Sequence, residues 1–150
     1  KEKFILVYMM EKSKDVIEFA NYVSRLLGLP IVQRRPNRMF QNETEPCYMA
    51  TPDEFLDYVK EAEYVITNSF HGTVFSIIYG KPFLSMLHSD TGSRTKDLLT
   101  LLGLESHLLK ANDKSFDFRR FFNDDPDKTW KLIEKHRRSS VDFLKEALKM

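Results

Sequence analysis

The chain has 150 residues, 42% of them apolar, with 23 basic against 22 acidic side chains and a formal net charge of +1. That length suits one domain with a core of its own, and so even a charge balance excludes a field that gathers nucleic acid or an anionic membrane surface. The single cysteine, Cys47, excludes an internal disulfide and a thiolate metal cluster, so a reducing, cytoplasmic compartment is expected.

No apolar run approaches the roughly 20 residues that span a bilayer. Lys1-Glu2-Lys3 leads directly into an apolar strand, so no signal peptide is expected. With no initiator Met, the sequence reads as a piece of a longer chain.

Phe4 to Met9 is a continuous apolar run, the pattern of a strand covered on both faces. Ser13 caps a predicted helix with Val16, Phe19, Ala20, Val23, Leu26 and Leu27 on one face, and Gly28 stops it. Pro30-Ile31-Val32 restarts as a strand. From Gln33 to Ala50 the periodicity is lost, and a loop is expected with a short extended segment at Tyr48-Met49. Thr51-Pro52-Asp53-Glu54 is a strong helix start, a capping box with proline at the first helical position. That helix turns Phe55, Val59 and Ala62 inward and yields to a strand at Tyr64 to Thr67. A short apolar helix and a second buried strand, Phe83 to Leu87, follow. The polar loop from His88 to Arg94 then opens a helix with Leu98, Leu101 and Leu102 inward and Gly103 as its stop. Leu108-Leu109 reads as a brief strand, and Phe116, Phe118, Phe121 and Phe122 as core. Pro126 opens a long last helix with Trp130, Ile133, Val141, Leu144 and Leu148 in one stripe. Strands alternating with helices imply a parallel sheet. The expected fold is a single Rossmann-like α/β domain, a three-layer sandwich over residues 1–150.

No glycine-rich fingerprint follows the first strand, and there is no Walker-type loop. The densest chemistry lies at Asn68, Ser69, His71, Gly72 and Thr73, where the Tyr64 strand hands over to its helix. Open parallel sheets place ligands at such carboxyl ends. Gly72 permits close approach, Ser69 and Thr73 offer hydroxyls, and helix amides attract phosphate or carboxylate. His71 is suited to general acid or base work. A plainer account stands beside this one, in which Ser69 only caps the helix and His71 is a satisfied polar side chain of its first turn. Ser93 and Arg94 open the next helix on the same side of the sheet. An arginine there opposes the helix dipole, yet can grip an anion above His71 bidentately; a solvated arginine is the alternative. His88 and Asp90 are weaker candidates. Arg34, Arg35 and Arg38 fit either the rim of an anion cleft or a solvated loop, the commoner case. Cys47, His107 and His136 are assigned to structure or surface.

These segments carry a resemblance. Thr51-Pro-Asp-Glu-Phe-Leu, the run Ala62-Glu-Tyr-Val-Ile-Thr-Asn-Ser-Phe-His-Gly-Thr-Val-Phe-Ser-Ile, Lys81-Pro-Phe, Ser93-Arg94 and the closing Arg138-Ser-Ser-Val-Asp-Phe-Leu are similar to the carboxyl-terminal half of the polysaccharide pyruvyl transferase family. The likeness is close over residues 51–148 and looser before them. It implies a two-domain enzyme of GT-B build, in which this chain is the carboxyl-terminal half and the amino-terminal half is missing. It implies transfer of the pyruvyl group of phosphoenolpyruvate to sugar hydroxyls as a ketal, in exopolysaccharide biosynthesis and with no cofactor beyond that donor. By position, His71 matches the family's proton donor or acceptor, and Arg94 falls where the family has a donor-contacting basic residue. The implied partners are phosphoenolpyruvate, a saccharide acceptor and the missing amino-terminal domain. Such a half cleft is expected to turn over little by itself. Two other assignments remain open: the donor half of a nucleotide-sugar glycosyltransferase, and a non-catalytic assembly domain.

Overall fold

The computed structural model describes residues 2–34, 50–110, 117–122 and 125–149. In chain order it contains β1 (Ile5–Tyr8), α1 (Lys14–Leu27), β2 (Ile31–Arg34), α2 (Pro52–Glu61), β3 (Tyr64–Thr67), α3 (Phe70–Ile78), β4 (Phe83–Met86), α4 (Gly92–Leu101), β5 (Leu108–Leu109) and α5 (Pro126–Ala147). Short 3₁₀ turns lie at Glu105–His107 and Phe118–Phe121.

The helix ends follow their side chains. Ser13 Oγ accepts from the Val16 N–H at 3.3 Å, and Gly28, at φ 65°, closes α1 in the left-handed region that glycine enters without strain. Glu54 Oε2 accepts from the Thr51 N–H at 2.8 Å while Thr51 Oγ1 accepts from the Glu54 N–H at 3.4 Å, completing the capping box of α2 behind Pro52.

Five strands form one sheet in the order β2-β1-β3-β4-β5, and every pairing is parallel. Alternate strand residues feed two cores. Leu6, Tyr8, Val65 and Phe83 pack with Phe55 and Val59 of α2 and Leu99 of α4 on one face. Ile5, Val7, Ile66 and Leu84 pack with Val16, Ala20 and Val23 of α1 and with Phe121 on the other. The result is a Rossmann-like three-layer sandwich. All four residues of β1 are buried, as a strand covered on both faces requires. The chain winds outward from β1 toward β2 and, on the other side, from β3 toward β5. A crevice therefore opens outside the carboxyl ends of β1 and β3.

Three inward faces differ from those the apolar pattern suggests. In α4 the buried residues are Gly92, Thr95 and Leu99, while Leu101 is 48% exposed. Leu102 is buried and Leu98 half-buried against the core as expected, but small and polar residues complete that face at helical spacing, and Leu101 is not on it. In α1, Leu26 stays exposed beyond the buried stripe of Val16, Ala20 and Val23. Along α5, Leu132 and Ile133 reach the core, but Trp130, Val141, Leu144 and Leu148 are exposed. Of the predicted aromatic plugs Phe121 is buried, Phe118 is half-buried and Phe122 is exposed. Arg35, Arg38, Cys47, Tyr48-Met49 and Phe116 lie outside the described residues. Among the described residues no helix is long and apolar enough to cross a membrane.

Candidate functional site

The exit of β3 is built from short polar side chains that bond to backbone. Thr67 Oγ1 donates to the Tyr8 carbonyl at 2.6 Å and accepts from the Ser69 N–H at 2.9 Å. Asn68, 2% exposed, accepts from the Met10 N–H through Oδ1 and donates to the Glu11 carbonyl through Nδ2, both at 2.9 Å. These bonds tie the ends of β3 and β1 together across the crevice. Ser69 is the N-cap of α3, its Oγ accepting from the Gly72 N–H at 3.3 Å. Thr73 Oγ1 donates to the Ser69 carbonyl at 3.0 Å and lies 2.6 Å from Ser85 Oγ, so the single Thr73 proton is taken and Ser85 supplies the second. Gly72 is packed so tightly on β3 that an added Cβ would collide with Thr67 Oγ1 and come within 3.1 Å of Thr67 Cβ. α3 thus lies close against β3 and β4 through Gly72, Thr73, Thr67 and Ser85.

What this turn leaves facing outward is different in kind. His71 is exposed at the second position of α3. Among the described residues, the N–H groups of Phe70 and His71 have no protein partner, as befits a first helical turn. The Phe70 ring stands edge-on to the His71 imidazole, with centroids 6.0 Å apart. The Arg94 guanidinium lies over the same ring, 5.2 Å from its centroid. Ser93, also exposed, precedes Arg94 in the first turn of α4, where Thr91 provides no side-chain cap. An imidazole, a guanidinium and two open amides therefore converge around Phe70, a constellation suited to a small anion and a proton transfer.

A second polar cluster closes the neighbouring loop. Glu11, from the β1–α1 connection, accepts from the Ser89 N–H at Oε1 and from the Ser89 hydroxyl at Oε2, both at 2.7 Å. His88 Nε2 stands 3.8 Å from the same Oε2, while its Nδ1 accepts from the Asp90 N–H at 3.1 Å and the Thr91 N–H at 3.4 Å. With Nδ1 an acceptor, the ring hydrogen belongs on Nε2, toward Glu11. Burial works to raise the Glu11 carboxyl pKa, but the two Ser89 bonds, helped by the His88 ring beside it, outweigh it and hold the group below its usual value.

Against known families, the polysaccharide pyruvyl transferase family matches residues 1–90. The chain belongs to that family. The match takes in β1, α1 and β2, whose likeness looked loose by eye, as well as the turn at His71. It ends before Ser93 and Arg94. No curated protein matches the chain.

In this transferase-family domain the predicted residues divide into two groups. Asn68, Ser69, Gly72 and Thr73 are buried and spend their polar groups or close contacts on the fold. His71, Ser93 and Arg94 are exposed on adjoining helix starts. Asp90 is exposed, its backbone held by His88. Arg34 stacks on Tyr58 at 4.3 Å and donates to its hydroxyl at 2.6 Å, serving the β2–α2 contact. His107 is buried, stacked on Phe83 at 4.3 Å, with Nδ1 3.0 Å from the Phe83 carbonyl. Glu11, Ser89 and Phe70 were not anticipated. The usable signal for Glu11 was an acidic residue just beyond a buried strand, and for Phe70 its place inside the Ser-Phe-His-Gly turn; nothing in the sequence marks Ser89. Among the described residues no group of three or more His, Cys, Asp or Glu could hold a metal ion.

Proposed function

We propose that the surface between the starts of α3 and α4 binds phosphoenolpyruvate, and that the chain takes part in transferring its pyruvyl group to a sugar as a ketal. The observation that carries this reading is the seating of His71 and Arg94 on one Phe70 ring at a sheet's carboxyl edge, in a chain of this family. The donor has a phosphate and a carboxylate. Arg94 and the open amides of Phe70 and His71 offer charge and hydrogen bonds to both, and Ser93 adds a hydroxyl.

The reaction adds a proton to the methylene carbon, so positive charge develops at the carbon bearing the phosphate oxygen. One sugar hydroxyl adds there and loses its proton, phosphate leaves with the bonding pair, and a second hydroxyl closes the ketal as its proton passes to the departing phosphate. His71 is the residue proposed to move the proton, toward the methylene carbon or away from the hydroxyl. Asn68, Ser69, Gly72 and Thr73 shape the turn that holds it. On the resemblance to the family's carboxyl-terminal half, the chain would form the donor-binding side of a two-domain cleft, with the acceptor reaching it from the other side.

The test is a titration followed by the imidazole signals of the four histidines. Phosphoenolpyruvate should shift His71 and leave buried His107 in place, and Arg94→Ala should weaken the effect about tenfold, as loss of a charged hydrogen bond does. A response to a nucleoside diphosphate but not to phosphoenolpyruvate would reassign the donor. If His71→Ala, made in the full-length parent enzyme, supports the same rate of phosphate release, the catalytic part is wrong; a loss of about 10²- to 10⁴-fold is expected.

A further inference from the structure

Arg94 opens a helix whose first turn has no side-chain cap, on a loop whose Leu87, Ser89, Asp90 and Thr91 are all exposed. Gly92 and Thr95 are packed inward, Gly92 against Leu87, so what packing leaves unfixed is the exposed stretch from Ser89 to Thr91. Within the loop, His88 Nδ1 gathers the Asp90 and Thr91 N–H groups into a tight turn, and the His88 carbonyl accepts from the Gly92 N–H at 3.1 Å. The loop is held from outside by Glu11, whose two carboxylate oxygens take the Ser89 N–H and hydroxyl at 2.7 Å each. Glu11 is itself held, because its carbonyl and the Met10 N–H are clamped by the buried Asn68 amide. A continuous chain of bonds thus runs from the exit of β3, through the β1–α1 loop, to the start of α4. Charge-assisted bonds of this length are about twice as strong as neutral ones.

We infer that Glu11 is a positioning residue for the donor site: by fixing Ser89 it sets the start of α4 so that Arg94 lies over Phe70, beside His71. The link to phosphoenolpyruvate rests on the functional reading above, whereas the link from Glu11 to Arg94 stands on the geometry alone. Glu11 does not touch the donor; it acts through Arg94.

Two measurements separate these links. In the unliganded protein the Arg94 Nε–H resonance should carry a ring-current displacement from Phe70, with Phe70→Leu defining its loss. Glu11→Ala should move this resonance most of the way to the Phe70→Leu position. Glu11→Gln, which keeps one acceptor oxygen, should move it part of the way. In phosphoenolpyruvate titrations Glu11→Ala should raise the dissociation constant about tenfold and Glu11→Gln about threefold, the range for charged hydrogen bonds. Because the effect runs through Arg94, Glu11→Ala should cost less than about twofold more in an Arg94→Ala background. An Arg94 resonance unchanged in Glu11→Gln and Glu11→Ala overturns the inference, as do losses that simply multiply. Should the parent fail to bind phosphoenolpyruvate, the functional reading falls, and the resonance still decides the role of Glu11.

Discussion

Asn68 places one amide between two strands, and its surroundings explain why no aliphatic residue would serve. Its Oδ1 and Nδ2 satisfy a backbone donor and a backbone acceptor of the β1–α1 loop while the side chain itself is buried. Asn68→Ala should therefore lower stability by about 1–3 kcal/mol, the cost of leaving buried polar groups unpaired, as read from denaturant midpoints. His71→Ala should stay within about 0.5 kcal/mol of the parent in the same assay, because the side chain is exposed. Glu11 adds a pH signature. Its carboxyl is held below its unfolded value, since the Ser89 bonds, helped by the His88 ring beside it, overcome the effect of burial. A depressed carboxylate contributes stability above the unfolded pKa of about 4.3 and loses it as pH falls through the folded value. The denaturant midpoint should thus fall on acidification below about pH 5, and less steeply in Glu11→Gln. Equal slopes for the two proteins would remove Glu11 from the account.

The helices differ in how their inward faces are written. α2 is written in large apolar residues, with Phe55 and Val59 buried where the period of 3.6 puts them and Ala62 buried just past its end. α4 is written in small ones. Gly92 lies so close to Leu87 that a Cβ would sit 2.9 Å from the Leu87 Cβ, and Thr95 and Leu99 continue the buried face. Leu99→Ala should accordingly cost about 2–5 kcal/mol, as a truncated core leucine does, and Leu101→Ala no more than about 0.5 kcal/mol. Thermal unfolding of the two variants side by side checks this, and similar losses would mean that α4 is rotated from the described face. α3 shows the same economy, with Gly72, Thr73 and Ser76 buried against the sheet. Its close seating is what brings the exposed first turn, with His71, over the strand ends.

For the molecule as a whole, the strand order leaves the crevice at β1 and β3, and the two loops bounding it are cross-linked by Asn68. The proposed donor site sits one connection further along, between the starts of α3 and α4. Ligand binding there should stabilise the entire fold. Phosphoenolpyruvate at about a hundred times its dissociation constant should add about 2.7 kcal/mol, provided the unfolded chain does not bind it. Since the attraction is largely between charges near the surface, that gain should shrink as salt is raised through about 0.15 M. A melting temperature indifferent to the ligand would count against the site.

How much of this was legible beforehand depended on whether the signal was local. Caps, glycine stops and continuous apolar runs announce themselves within a few residues, so Ser13, Gly28, Thr51 and the buried strands β1 and β3 lay where the chain alone put them. The alternation of those elements specified the parallel sandwich, and the Asn68-to-Thr73 run marked the corner beside which the donor site is proposed. Side-chain direction was not legible. Only packing decides that Thr73 turns to Ser85, that Asn68 bridges to residues 57 and 58 positions earlier, or that Leu99 rather than Leu101 is buried. The meeting of Glu11 with Ser89, 78 positions apart, needs β1, β3 and β4 side by side before it exists. Backbone hydrogen bonding and helix capping act over a few residues, and the sequence determines them directly. Contacts between loops depend on strand order, and only the assembled sheet decides them.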